Sequence, residues 1–183
     1  VSLRELLAHS IDSQEFVRVH REAIEEGYLD GRVLALGDEW LLLATVQQGY
    51  RPNGVVWLRI EDLSAIDLPS PRDATATRVL ELRGEALDAC ESLPVGSIGE
   101  AISAAAARYG LVTIYTEVAY PDECSVGTPV SVDDESVMLQ TIDPDARWHA
   151  EPERFELADI TRIDAGGEYE TALHLLLRAN ASA

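Results

Sequence analysis

The chain has 183 residues, 46% of them apolar, so it can bury a core as one medium domain or two small ones and is not of disordered composition. Its 33 acidic residues against 14 basic ones give a net charge of −19, which argues against a general phosphate-binding surface and against anionic membranes. Every basic residue is Arg, and the acidity itself reads as solubility and self-repulsion.

No stretch approaches the roughly 20 apolar residues of a membrane span. The N-terminal VSLRELLAHSID lacks the basic start and apolar run of a signal peptide, so a cytoplasmic location is the expectation. Cys90 and Cys124 stand alone, and His9, His20, His149 and His174 lack ligand spacing. Reduced, structural thiols are expected, with no disulfide framework, metal site or cofactor.

In chain order, Ser2-Leu-Arg-Glu5 predicts a capped helix, a hydroxyl at its start and a carboxylate three residues on, with Leu3, Leu6 and Leu7 as its apolar stripe. Ser97-Ile-Gly-Glu100 repeats the pattern and opens an Ala-rich helix through Ala107. Phe16 to Glu22 and Leu111 to Glu117 read as matching first strands. Gly31 to Val46 and Gly127 to Ile142 each read as strand, acidic turn, strand, with Asp38 and Glu39 aligned to Asp134 and Glu135. Loops rich in turn formers follow, at Gln47 to Gly54 and Asp143 to Pro152.

A fourth strand then alternates, with Leu58 and Ile60, like Phe155 and Leu157, expected to face the core. Trp57 and Arg59, like Arg154 and Glu156, point the other way. Asp62 and Asp159 start a one-turn bend into a short fifth strand through Ile66 and Ile163. Ala76, Val79, Leu80, Ala86, Leu87 and Cys90 predict a closing helix, as do Tyr169, Ala172, Leu173, Leu176 and Leu177 at i, i+3, i+4, i+7 and i+8. The chain is thus expected to be α+β and mainly β, with one unit over 1–91 and its copy over 95–183. In each, an N-terminal helix precedes five strands and a second helix follows.

Strands of this length leave exposed edges in an open flat sheet, and bending into a small five-stranded barrel removes most of them. The order resembles the Sm-like fold, an SH3-like barrel preceded by a helix. Carrying the resemblance are Gly31, Val33, Asp38 and the bend from Ile60 to Ile66, with Gly127, Val130, Asp134, Leu157 and Ile163 in the second copy. It implies two such barrels in tandem, paired through their sheet edges as an intramolecular pseudo-dimer. Sm-type proteins commonly bind RNA through an Asp- and Asn-bearing turn and an Arg-Gly or Lys-containing bend. Here the turns read Asp38-Glu39-Trp40-Leu41 and Asp134-Glu135-Ser136-Val137, and the bends Glu61-Asp62 and Ala158-Asp159. Carboxylates in those places repel phosphate.

The binding candidates are therefore Trp57, Asp38, Asp134, Asp62 and Asp159. Trp57 has two open readings, an exposed aromatic for a partner or a side chain covered by a packed helix. Asp62 and Asp159 read either as a shared ligand contact or as caps on the backbone of their own bends. Asp133-Asp134-Glu135, with Asp143 and Asp145, reads as hairpin-turn chemistry rather than a calcium loop. Gly166-Gly167 reads as a helix entry. No catalytic triad, Cys-His pair or paired carboxylate stands out, so no enzyme is expected. The expected function is a protein-interaction or scaffold protein that binds a protein partner or itself, not DNA or a membrane. The alternatives are an RNA-binding Sm-like protein, which needs Arg18, Arg21, Arg32, Arg51 and Arg59 on one patch, and a small-molecule or metal-binding domain between the barrels.

Overall fold

A computed structural model describes residues 1–87 and 92–180. The first half runs α1 (Leu3–Ser13), β1 (Val17–His20), β2 (Tyr28–Leu36), β3 (Trp40–Val46), β4 (Pro52–Arg59), a 3-10 turn (Ile60–Asp62), β5 (Ala65–Asp67) and α2 (Asp73–Arg83). The second runs α3 (Ile98–Tyr109), β6 (Val112–Tyr115), β7 (Cys124–Val132), β8 (Ser136–Ile142), β9 (Glu153–Glu156), a 3-10 turn (Leu157–Asp159), β10 (Arg162–Ala165) and α4 (Glu168–Asn180). The protein is α+β. None of its helices among the described residues is long and apolar enough to cross a membrane.

The internal repeat extends to strand register. Val17 pairs opposite Gly31 as Val112 does opposite Gly127, and Trp40 opposite Arg59 as Ser136 opposite Glu156. A bulge follows Val33 in one half and Pro129 in the other. Val130 therefore is not the partner of Val33 in the repeat; it falls at the bulge and is exposed, and Pro129 holds the matching place. The two glycines have a common cause. A Cβ at Gly31 would lie 2.3 Å from the Ala44 carbonyl oxygen, and one at Gly127 2.1 Å from that of Gln140, so only Gly lets β2 and β7 cross so close to the next strand.

Helix α1 begins with a reciprocal cap. Ser2 Oγ accepts from the Glu5 N–H at 3.2 Å, and the Glu5 carboxylate accepts from the Ser2 N–H at 2.6 Å. In α3, Ser97 Oγ accepts from the Glu100 N–H. The other helices depart from their predicted stripes. Helix α2 stops at Gly84, whose φ of +64° ends it before Ala86 and Leu87, and Cys90 lies outside the described residues. Helix α4 buries Glu170 and Leu173 and leaves Tyr169, Leu175 and Leu176 largely exposed, because Thr113 donates a hydrogen bond to the Glu170 carboxylate and turns that face inward.

All ten strands belong to one antiparallel sheet, in the order β5-β1-β2-β3-β4-β10-β6-β7-β8-β9. The expectation of two closed barrels is corrected here. Within each half the fourth and fifth strands do not pair. Instead β4 pairs with β10 of the other half, Val55 to Leu58 opposite Ala165 to Arg162. The cause lies in the backbone groups that closure would have satisfied. Pairing Val55 to Leu58 with β10, a strand of four residues, satisfies those groups as closure would, and it also lets the core shared between the halves cover the apolar run of β4.

The sheet is open but curled. Leu7, Val17, Val33, Leu41, Leu43 and Leu58 enclose one core with Ile66 of β5 against it, so the first half wraps around its own interior. A second core joins the halves. Trp40, Leu42, Val55 and Trp57 of the first half pack with Ile98, Ala101, Ile102, Ile114, Leu139 and Ile163 of the second. Fully burying each larger apolar side chain there contributes about 1.5–3 kcal/mol.

Candidate functional site

The seam where β4 meets β10 gathers most of the chemistry that distinguishes this chain from a plain repeat. Strand β4 is buried on both faces from Val55 through Leu58. Trp57, one of the five candidates, is therefore not an exposed aromatic: it has no accessible surface, α3 covers it, and its indole N–H donates to the Pro94 carbonyl at 2.9 Å. At the start of β4, Gly54 has a φ of +72°, and a Cβ there would sit 2.3 Å from the Ala165 carbonyl oxygen. Glycine is needed for the strand to enter beneath the turn that leads into α4.

At one end of the seam lies a buried ion network. Arg21, just after β1, is completely buried, and both its terminal nitrogens bond the Glu117 carboxylate at 2.8 Å, while Glu25 takes its Nε–H at 2.9 Å. Thr161 donates its hydroxyl to Glu117 at 2.7 Å. Next to it, Arg162 grips Asp164 through two hydrogen bonds, lies 4.7 Å over the Tyr115 ring and approaches Glu25 at 3.8 Å. Burial alone would lower the pKa of Arg21, but its bonds to Glu117 and the charge of Glu25 raise it, so the guanidinium stays charged. Burial, helped by Asp164, pushes the Tyr115 hydroxyl far above its usual value. The network also measures the curl. Four strands separate β1 from β6, five spacings or roughly 24 Å in a flat sheet, yet residues just beyond their ends form a bidentate ion pair.

At the same end of the seam, beyond Arg59 and Thr161, the two acidic turns and the two bends meet around an open cleft of about 610 Å³ lined by Asp38, Glu39, Arg59, Glu61, Asp134 and Leu157, among others. Thus the structure brings together Asp38 and Asp134, both exposed. Asp62 caps no backbone. It holds Arg59 through two hydrogen bonds of 2.9 and 3.3 Å, and Arg59 in turn donates to the Ala158 carbonyl across the seam at 3.1 Å. Its repeat partner Asp159 is exposed and lies apart from this cleft, in a groove beside β9. Asp133 does the turn chemistry expected of its segment, accepting from the Glu135 and Ser136 N–H groups at 2.9 and 2.8 Å, which holds its carboxyl below the usual range. No group of three or more His, Cys, Asp or Glu side chains able to hold a metal ion occurs among the described residues.

The five arginines that would have to form a basic patch do not line up as one. Arg18 is bound bidentately by Asp30, Arg21 is buried, Arg51 lies 3.8 Å from Glu85 and Arg59 is held by Asp62 and Glu61. Arg32 lies over the Phe16 ring. Four of the five thus face carboxylates. The pairing of Arg21 with Glu117 was missed in the sequence because ion pairing across 96 positions leaves no local signal. One clue existed: the hydroxyls of Ser64 and Thr161 recur at the same place in the repeat, and each accepts the backbone N–H of a Glu, Glu22 or Glu117. Searches with this chain against protein-family models, curated proteins and solved structures found no match.

Proposed function

We propose that the chain is a non-enzymatic protein-interaction or scaffold protein, two Sm-like units fused into an intramolecular pseudo-dimer. Each unit has its five strands curled around a core but left open between the fourth and the fifth. The observation that carries the reading is the pairing of β4 with β10, in which the fourth strand of one unit uses the fifth of the other as its neighbour. The apolar core beneath that pairing and the ion network at its end support a permanent junction.

An RNA-binding role is disfavoured by the same geometry. Phosphate affinity depends on free cations, and here the turns and bends that meet at the seam present Asp38, Glu39, Glu61 and Asp134, with Arg59 already engaged. Fluorescence anisotropy of a labelled mixed-sequence RNA at low salt tests this under the conditions most generous to phosphate contact. No saturable binding is expected. Saturable binding that weakens steeply with salt would overturn the reading in favour of the RNA-binding one.

A further inference from the structure

The repeat leaves one of its two equivalent seats filled and the other open. In the first half, β10 lies along β4: Arg59 N–H donates to the Thr161 carbonyl, and Arg162 reaches Glu25. The repeat register puts Pro152 to Phe155 where the first half has Val55 to Leu58, and Tyr120 where it has Glu25. Among the described residues, strand β9 pairs only with β8, so its outer backbone groups have no strand partner there. Beside it runs a groove of about 460 Å³, with Ile114 and half-buried Phe155 among its lining and Tyr120, 59% exposed, on its rim.

The filled and open seats differ in charge. Where the first half has Arg21 and Arg59, the second has Thr116 and Glu156. The groove is lined by Glu123, Glu153, Glu156 and Asp159 against a single cation, Arg154, and Glu156 already holds that cation at 2.7 Å.

We infer that this edge docks an extended, basic segment of a partner protein, which adds to the sheet antiparallel to β9 as β10 adds to β4. The inference rests on the protein-interaction reading and supplies the chemistry of its partner. Main-chain bonds to β9 give the affinity, and side chains that are cationic opposite Glu153 and Glu156 and apolar opposite Phe155 give the selectivity. A second copy of the chain fits less well. Its free β5 edge, laid down in the register of β10, would put Asp67 opposite Glu153 and Ser64, without a cation, opposite Glu156.

The probe is a labelled peptide copying residues 158–167 with Asp159→Arg, Thr161→Arg, Arg162→Leu and Asp164→Arg, a cationic version of the strand that fills the other seat. In the register of β10 it sets Arg opposite Glu156 and Glu153 and Leu opposite Phe155. At low salt it should bind saturably, the unsubstituted peptide should not, and saturation should slow amide exchange in β9. The double variant Glu153→Arg, Glu156→Arg should weaken binding by about tenfold or more. The equal charge change Asp12→Arg, Glu81→Arg, at exposed sites on α1 and α2, should leave it nearly unaltered. Absence of saturable binding, or binding indifferent to the β9 reversal, would overturn the proposal. The pseudo-dimer reading would still stand in that case if the amides of β4 and β10 stay protected, and would fall with it if they do not. Light scattering should give the 20.0 kDa mass of one chain. Twice that mass, abolished by the β9 reversal, would assign the edge to a second copy and overturn the proposal as well.

Discussion

Replacing Arg21 with Ala should destabilise the protein by about 3–5 kcal/mol, read from urea-induced unfolding. The loss comes mainly from Glu117, which is 7% exposed and would keep its charge with only the Thr161 hydroxyl to answer it. Glu117→Gln should be harmful for the converse reason, since it leaves the Arg21 charge buried and answered by Glu25 alone on that side. The double variant Arg21→Met, Glu117→Leu should be closer to the parent than either single one, because it removes both charges together. Thr161, freed of Glu117, would donate its hydroxyl to the Tyr115 carbonyl 3.2 Å away. The two residues come from different halves, so their coupling in a double-mutant cycle measures the junction itself. A loss below about 0.5 kcal/mol for Arg21→Ala, the range of ordinary surface changes, would mean that the halves do not close on each other at this point.

The second large effect is expected at Trp57. Truncation to Ala should cost about 3–5 kcal/mol, since it opens a cavity against α3 and leaves the Pro94 carbonyl without its donor. Trp57→Phe should cost less, keeping most of the apolar volume and losing the hydrogen bond. The shape of the transition is as informative as its midpoint. Trp57 belongs to the first half but sits in a core with Ile98, Ile102 and Ile163 of the second, so both halves should unfold together in one shifted transition. Two separated transitions would show that the shared core does not couple them.

Much of this architecture was legible because the repeat is written in offsets of 95, 96 and 97 positions, and these are the offsets of the strand registers. Gly31 and Gly127 marked it because β2 and β7 pass too close to a carbonyl for any side chain. Where the reading failed, it failed on strand edges. Hydrogen-bonding need says that an edge must be satisfied but not by which strand, so closure within a half and pairing across halves looked alike. The composition of β4 held the distinction. Val55-Val56-Trp57-Leu58 is a continuous apolar run, the mark of a strand covered on both faces, whereas its counterpart Pro152-Glu153-Arg154-Phe155 carries two charges among its four residues, as an outer strand does. Taken as alternation, the same run made Trp57 seem to point outward. Among the candidate residues, Asp38 and Asp134 were brought together because they hold equivalent turns, and equivalent turns meet when two copies share one sheet. Asp62 and Asp159 are equivalent in sequence and different in surroundings. Asp62 has Arg59, at the end of β4, to bind, and the position matching Arg59 is Glu156.

Amide hydrogen exchange across the seam tests the central claim most directly. If β4 and β10 pair as one continuous sheet, the amides of Val55 to Leu58 and Arg162 to Ala165 that face each other should exchange as slowly as those of β3, in the interior of the first half. Exchange at the rate of the outer strands β5 and β9 would mean that β4 and β10 are themselves edges, and the fused pseudo-dimer would be contradicted.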